Sequence, residues 1–256
     1  MEKSRSFVKF RSSVFGVVSL FFLALAGNSG GRLSAADPAA AFLLKPALIG
    51  DSTNSFAAIL RYPQKALDNR QTGGVFFYCD VDEAGKASNF RPFRVSTNTI
   101  EFLTTIKQAL DQAQFDPATV YGKPTRVCMV MTVFFLLQNG EPVIRIFLNA
   151  DDQEIMAGEN VIAAQMIGRS VDFDKGLYYP LRALEERLEG EVKVEFVVDV
   201  EGHPSQLKVV KDTAPRAGFG AQAVRHLKTR RFIPAFINGR PAEIRASKEY
   251  VFILKR

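Results

Sequence analysis

Residues 190–202 read GEVKVEFVVDVEG. Val192, Val194, Phe196 and Val198 alternate with Lys193, Glu195 and Val197, the period of two expected of a strand with one buried and one wet face. Asp199 and Gly202 close the stretch. An aspartate that bonds its own turn amides, followed three residues later by a glycine that tolerates φ > 0, predicts a hairpin. The same writing stands 117 positions earlier. Residues 73–85 read GGVFFYCDVDEAG and keep Val75, Phe77, Cys79, Val81, Asp82 and Gly85 in the matching places. The other face of this earlier strand carries Phe76 and Tyr78, which predicts cover on both sides of its sheet.

The offset holds well beyond the hairpin. Residues 61–137 align with 178–254 without a gap, and about twenty of the 77 pairs are identical. Tyr62-Pro63 meets Tyr179-Pro180, Phe115 meets Phe232, Pro117-Ala118 meets Pro234-Ala235, and Gly122 and Pro124 meet Gly239 and Pro241. The shared residues are those that set turns and cores, so the chain reads as one small fold written twice.

Each copy then parses alike. A Tyr-Pro opens a short helix, since proline is favoured in a first helical turn. The hairpin strands come next, with return strands near 88–95 and 205–211. Helices are predicted over 99–113 and 218–230, where Phe102, Ile106, Ala109 and Leu110, and Phe219, Ala223 and Leu227, fall on one face. Last strands run over 126–137 and 243–254. A right-handed crossover sets the third strand beside the first. The expected fold class is therefore α+β: two tandem αββαβ domains, each a three-stranded antiparallel sheet of order 2-1-3 with helices on one face. Asn139-Gly140 predicts an added hairpin strand over 143–148 that covers the third strand of the first copy. No such strand comes after the second copy, whose third strand is left as an edge. The expected boundaries are a signal peptide at 1–36, a linker at 37–60, domain 1 with its added strand at 61–148, an acidic linker at 149–177 and domain 2 at 178–256.

The start of the chain reads as an export signal. Lys3, Arg5, Lys9 and Arg11 precede an apolar run from Val14 to Ala26. Small residues come after it, with Ser34-Ala35-Ala36 and Ala24-Leu25-Ala26 as the two candidate cleavage sites. The run is shorter than the roughly 20 residues of a spanning helix. The expected location is periplasmic or secreted. The alternative is an uncleaved inner-membrane anchor facing the periplasm, the one case that gives membrane contact. Residues 1–36 hold five Lys/Arg and one Glu, so the net charge of +6 falls to +2 without them (6 − 4), which argues against nucleic acid as a partner. An oxidising compartment allows a disulfide between Cys79 and Cys128, and two buried free thiols are the alternative.

No catalytic constellation emerges. Asp82 and Asp199 stand one per copy and read as turn residues rather than an acid/base pair. The two histidines, His203 and His226, have no metal-ligand spacing, and no serine nucleophile motif or phosphate loop occurs. The expectation is a non-enzyme without cofactor or metal. Arg225, Lys228, Arg230 and Arg231 form a basic run at the second helix end. It reads first as charge that complements the helix C-terminus, and second as a patch for an acidic partner.

Three motifs taken together carry a family resemblance. They are Tyr179 to Leu184, Gly190 to Gly202, and Arg231 to Pro241. In this pattern the second copy resembles the C-terminal domain of TonB and TonB-like energy transducers over its full length. The first copy resembles it with departures, Gln114 for Arg231 and Tyr121 for Asn238. The resemblance implies a small antiparallel sheet with helices on one face. It also implies envelope work in which an edge strand pairs with a peptide segment of an outer-membrane transporter. Carried onto this chain, the strand is 243–254, with Glu243, Arg245, Ser247, Glu249, Val251 and Ile253 as partner-binding residues. The expected function is an exported, non-catalytic protein-binding module that takes an envelope protein partner through the edge strand of domain 2. One alternative is a membrane-anchored transducer for outer-membrane transport, which normally has a Pro-rich spacer that residues 28–60 lack. The other is a structural envelope protein whose basic face binds cell-wall polymer.

Overall fold

The computed structural model describes residues 43–95, 100–150, 155 and 160–254. The predicted signal peptide lies outside the described residues.

The first half contains β1 (Leu44–Lys45), α1 (Phe56–Ile59), α2 (Gln64–Asp68), β2 (Gly73–Val81), β3 (Ala87–Val95), α3 (Ile100–Gln112), β4 (Ala118–Val120), β5 (Lys123–Thr125), β6 (Val127–Gln138) and β7 (Glu141–Phe147). The second contains β8 (Val161–Ile162), β9 (Gln165–Ile167), α4 (Leu181–Glu185), β10 (Gly190–Val198), β11 (Pro204–Asp212), α5 (Phe219–Lys228), β12 (Phe232–Ile233), β13 (Ala235–Ile237), β14 (Arg240–Ala242) and β15 (Ile244–Phe252). One sheet runs β11-β10-β15, the expected order of second, first and third strand. The corresponding strands β3-β2-β6 sit inside a larger, six-stranded sheet, β12-β9-β6-β2-β3 with β7 also on β6. All of these pairings are antiparallel.

Backbone detail recurs at the 117-residue offset. Gly85 and Gly202 have φ of 75° and 80°, and Asn89 and Gln206 have φ of 54° and 49°. The last two mark a bulge at the same point of β3 and β11, where the register slips by one residue. Tyr121-Gly122 and Asn238-Gly239 both hold positive φ at both positions, the geometry of a tight two-residue hairpin. The Tyr-Pro motif has a physical reason in each half. The hydroxyl of Tyr62 donates to the Gln71 carbonyl, and that of Tyr179 to the Leu188 carbonyl. Each ring meets edge-on a stacked phenylalanine pair, Phe102 with Phe135 and Phe219 with Phe252, each pair 4.3 Å apart. Such aromatic packing joins the opening turn, the long helix and the last strand of each unit.

Two expectations are corrected here. The segments read as linkers, 37–60 and 149–177, contain folded structure. β1 pairs β4 and β8 pairs β13, with Leu44 opposite Val120 and Val161 opposite Ile237, again 117 apart. Phe56 and Leu60 are buried in the first core, and Phe173 and Leu177 in the second. These strands are two or three residues long, too short to show a period. The second correction concerns independence. β9 lies between β6 of the first half and β12 of the second, so one sheet passes through both. Val75, Phe77, Cys79 and Val81 of β2 face the first core, while Tyr78 belongs to the second together with Cys128 of β6. The buried Gln165 side chain accepts from the Ala47 amide at 2.7 Å and donates to the Ala47 carbonyl at 2.9 Å, as a strand neighbour would.

Candidate functional site

β15 lies at the end of its sheet. Among the described residues its strand partner is β10, in continuous register from Gly190 opposite Phe252 to Val198 opposite Ile244. Ile244, Ala246, Lys248, Tyr250 and Phe252 are buried on the side that packs under α5. Glu243, Arg245, Ser247, Glu249, Val251 and Ile253 have the opposite parity. Glu243 and Arg245 are exposed, Glu249, Val251 and Ile253 are half-buried, and Ser247 is buried. The six residues share one strand side, as alternation requires.

The equivalent strand of the first unit differs in its outer edge. β6 pairs with β7 over Thr132–Gln138 and with β9 at Val127 and Cys128. The Asn139-Gly140 turn, with φ of 54° and 89°, folds β7 back onto it.

Beneath β15 the second unit holds polar groups that the first lacks. Lys248, Tyr250 and His226 occupy the places of Met131, Val133 and Ala109. Lys248 is 1% exposed, and among the described residues its Nζ has no hydrogen-bond partner. It lies 4.7 Å from the centre of the Phe173 ring and 5.5 Å from that of Tyr250, so two aromatic faces stand in for water. Burial lowers its pKa to about 8, partly offset by Asp174. His226 Nδ1 lies 3.2 Å from the Tyr250 hydroxyl and Nε2 3.3 Å from the Lys175 carbonyl. Burial and the nearby Arg230 lower its pKa to about 4. Arg230 donates to the same Lys175 carbonyl at 2.6 Å and lies over Phe173. This cluster straps residues 173–175 onto α5 and β15.

The basic run is thereby divided. Arg225, Lys228 and Arg231 are exposed, whereas Arg230 turns inward to the strap and is not part of a surface patch. Of the two readings of the cysteines, the free thiols hold and the disulfide does not. Both cysteines are free and buried. Cys79 pairs across the ladder with Met129 and Cys128 with Asp80, so the two thiols project from opposite faces of the sheet into different cores. Burial raises the pKa of both thiols.

Asp82 and Asp199 are turn residues. Asp82 Oδ1 accepts from the Ala84 and Lys86 amides, and Asp199 Oδ1 from those of Glu201 and His203, at 2.8 to 3.0 Å. Among the described residues no group of three or more His, Cys, Asp or Glu is placed to hold a metal, and no helix is long and apolar enough to cross a membrane.

Sequence reading missed Asp80, which sits between the two halves. This carboxylate is 1% exposed and accepts from the Ser170 amide at 3.0 and 3.1 Å and from Asn89 at 2.6 Å. An acidic residue inside an apolar strand is the signal that could have found it, since such a group is buried only with partners.

A comparison with curated proteins found no match. A scan against family models matched residues 175–254 to the Gram-negative bacterial TonB protein C-terminal model. The match spans α4 to the end of β15 and includes the three motifs that carried the resemblance. Residues 175–254 are therefore similar to the TonB C-terminal domain.

Proposed function

We propose that this chain is an exported, non-catalytic binding module whose second unit captures an extended segment of an envelope protein along β15. The observation that carries this reading is the position of β15 at the end of its sheet among the described residues, in the unit that matches the TonB family model. Strand addition supplies a repeating set of backbone hydrogen bonds, and Arg245, Glu249, Val251 and Ile253 supply alternate side chains for choice. A peptide segment of an outer-membrane transporter fits this role. The first unit is a second copy of the same domain whose outer edge β7 and β9 already fill, so it acts as scaffold. Export through residues 1–36 places the chain in the periplasm or outside the cell.

The test is capture from an envelope extract by purified protein, comparing wild type with Val251→Pro and Ile253→Pro. Proline removes an amide donor from the strand. Loss of capture by both variants, with unchanged melting of the first unit, supports the reading. Ile253 comes just after the last residue of β15, so its variant keeps the β10 ladder if Val251→Pro unfolds the domain. Capture at the wild-type level by Ile253→Pro and by a folded Val251→Pro contradicts it.

A further inference from the structure

The opposite side of the second unit carries a groove. It lies between β11 and α5, measures about 550 Å³, and is lined by His203, Leu207, Val224, Lys228 and Arg231 among others. Leu207 and Val224 are its apolar members. Lys228 and Arg231 give it positive charge. The Arg231 guanidinium is held there by the Arg230 carbonyl at 2.9 Å and the Lys228 carbonyl at 3.4 Å. His203 faces Glu201 at 3.6 Å and Asp199 at 3.9 Å, and Asp199 is already engaged by turn amides.

The first unit has different residues at the same places. Phe90 stands for Leu207 and packs edge-on against Phe77 at 5.0 Å. Lys107 and Asp111 stand for Val224 and Lys228 and neutralise each other at 2.8 Å. Gln114 stands for Arg231 and donates to the Ala84 carbonyl. At these places the first unit thus has a bulkier floor and a Lys107–Asp111 pair whose charges cancel, with Lys86 standing for His203, while the second unit's groove is open, apolar within and cationic at the rim.

We propose that this groove binds an acidic peptide segment of a protein partner, seating an apolar side chain on Leu207 and Val224 and its carboxylates against Lys228 and Arg231. The groove borders β11, and β10 separates β11 from β15, so this site is distinct from the strand-capture edge. Rim charge sets attraction and its salt dependence, and the apolar floor distinguishes a peptide from a bare polyanion.

The test titrates the purified full chain with a fluorescein-labelled peptide of alternating leucine and glutamate. Lys228→Asp installs the residue of the first unit and removes the cation, and Leu207→Phe installs its bulkier floor while leaving every charge in place. Arg225→Asp, on the same helix but outside the groove, is the charge-matched control. The expected result is a loss of tenfold or more for Lys228→Asp and fivefold or more for Leu207→Phe, with Arg225→Asp within twofold of wild type and all three melting normally. Equal losses for Arg225→Asp and Lys228→Asp overturn the proposal, because attraction is then diffuse. Wild-type affinity in Leu207→Phe, with full competition by polygalacturonate, overturns it in favour of a polymer-binding face.

Discussion

β6 and β15 are the third strands of two matching strand trios, yet they meet different neighbours. β6 runs for 12 residues and is paired on its outer side with β7 and β9, whereas β15 runs for 9 and, among the described residues, ends its sheet. The frameworks around them agree down to the sign of φ at the bulges and turns. Turn glycines, the Tyr-Pro opening and the aromatic trio build the fold. In the first unit the chain just beyond the third strand turns back at Asn139-Gly140 and fills that edge with β7. The interiors diverge in the same direction. The first core is apolar where the second holds Lys248, Tyr250 and His226.

The largest expected effects test whether the frameworks are equivalent. A Cβ at Gly85 would lie 2.1 Å from the Phe115 carbonyl oxygen, and one at Gly202 would lie 1.9 Å from that of Phe232. Both sites also need positive φ. Gly85→Ala and Gly202→Ala should each cost roughly 3 kcal/mol or more, measured by chemical denaturation. Very different losses would break the equivalence of the two units.

Next is the join. Gln165→Leu removes both hydrogen bonds to Ala47 and leaves its buried amide and carbonyl without their partner. The expected cost is roughly 2–3 kcal/mol, with unfolding of the two units separating into distinct steps. A single unchanged transition would show that the join lies elsewhere.

The third prediction exchanges a residue between units. Lys248→Met installs the residue of the first core. A buried, unpaired ammonium is costly, so the variant should gain about 2 kcal/mol at pH 7. The folded protein releases the Lys248 proton near pH 8, whereas the unfolded chain keeps it to about 10.5. Wild-type stability therefore rises through that window and the advantage of the variant shrinks. A variant less stable than wild type at neutral pH would mean that the two ring contacts outweigh desolvation.

The smallest effect concerns acid. The pKa of His226 is lowered from 6.5 to about 4, so the unfolded chain takes up its proton first as pH falls. Stability contributed by neutral His226 is present above 6.5 and is lost between 6.5 and 4. His226→Gln should flatten this slope by about 1 kcal/mol. An unchanged acid limb would assign the slope to other groups.

The fold was legible where local chemistry repeats. Alternation from Val192 to Val198, the Asp–Gly turns and the helical face of Phe102, Ile106 and Leu110 each announce their element. β8 and β9 were not legible, because two or three residues carry no period and their partners, Ile237 and Phe232, lie some 70 residues away. The opposite facing of Cys79 and Cys128 depends on ladder register, which spacing alone does not give. Lys248 was within reach. It has the parity of Ala246 and Tyr250, so the pattern already placed a cation on the buried side. The groove was also written in the alignment, in the exchange of Phe90 for Leu207 and of Asp111 for Lys228, but charge at a helix end ordinarily marks a solvated surface.

Amide hydrogen exchange across β6 and β15, with and without the captured partner segment, tests the strand-capture account most directly. The account predicts that binding slows exchange at β15 and leaves β6 unchanged, since β7 and β9 already occupy its outer side. Protection at β6, or binding that leaves every β15 amide at its unbound rate, would contradict it.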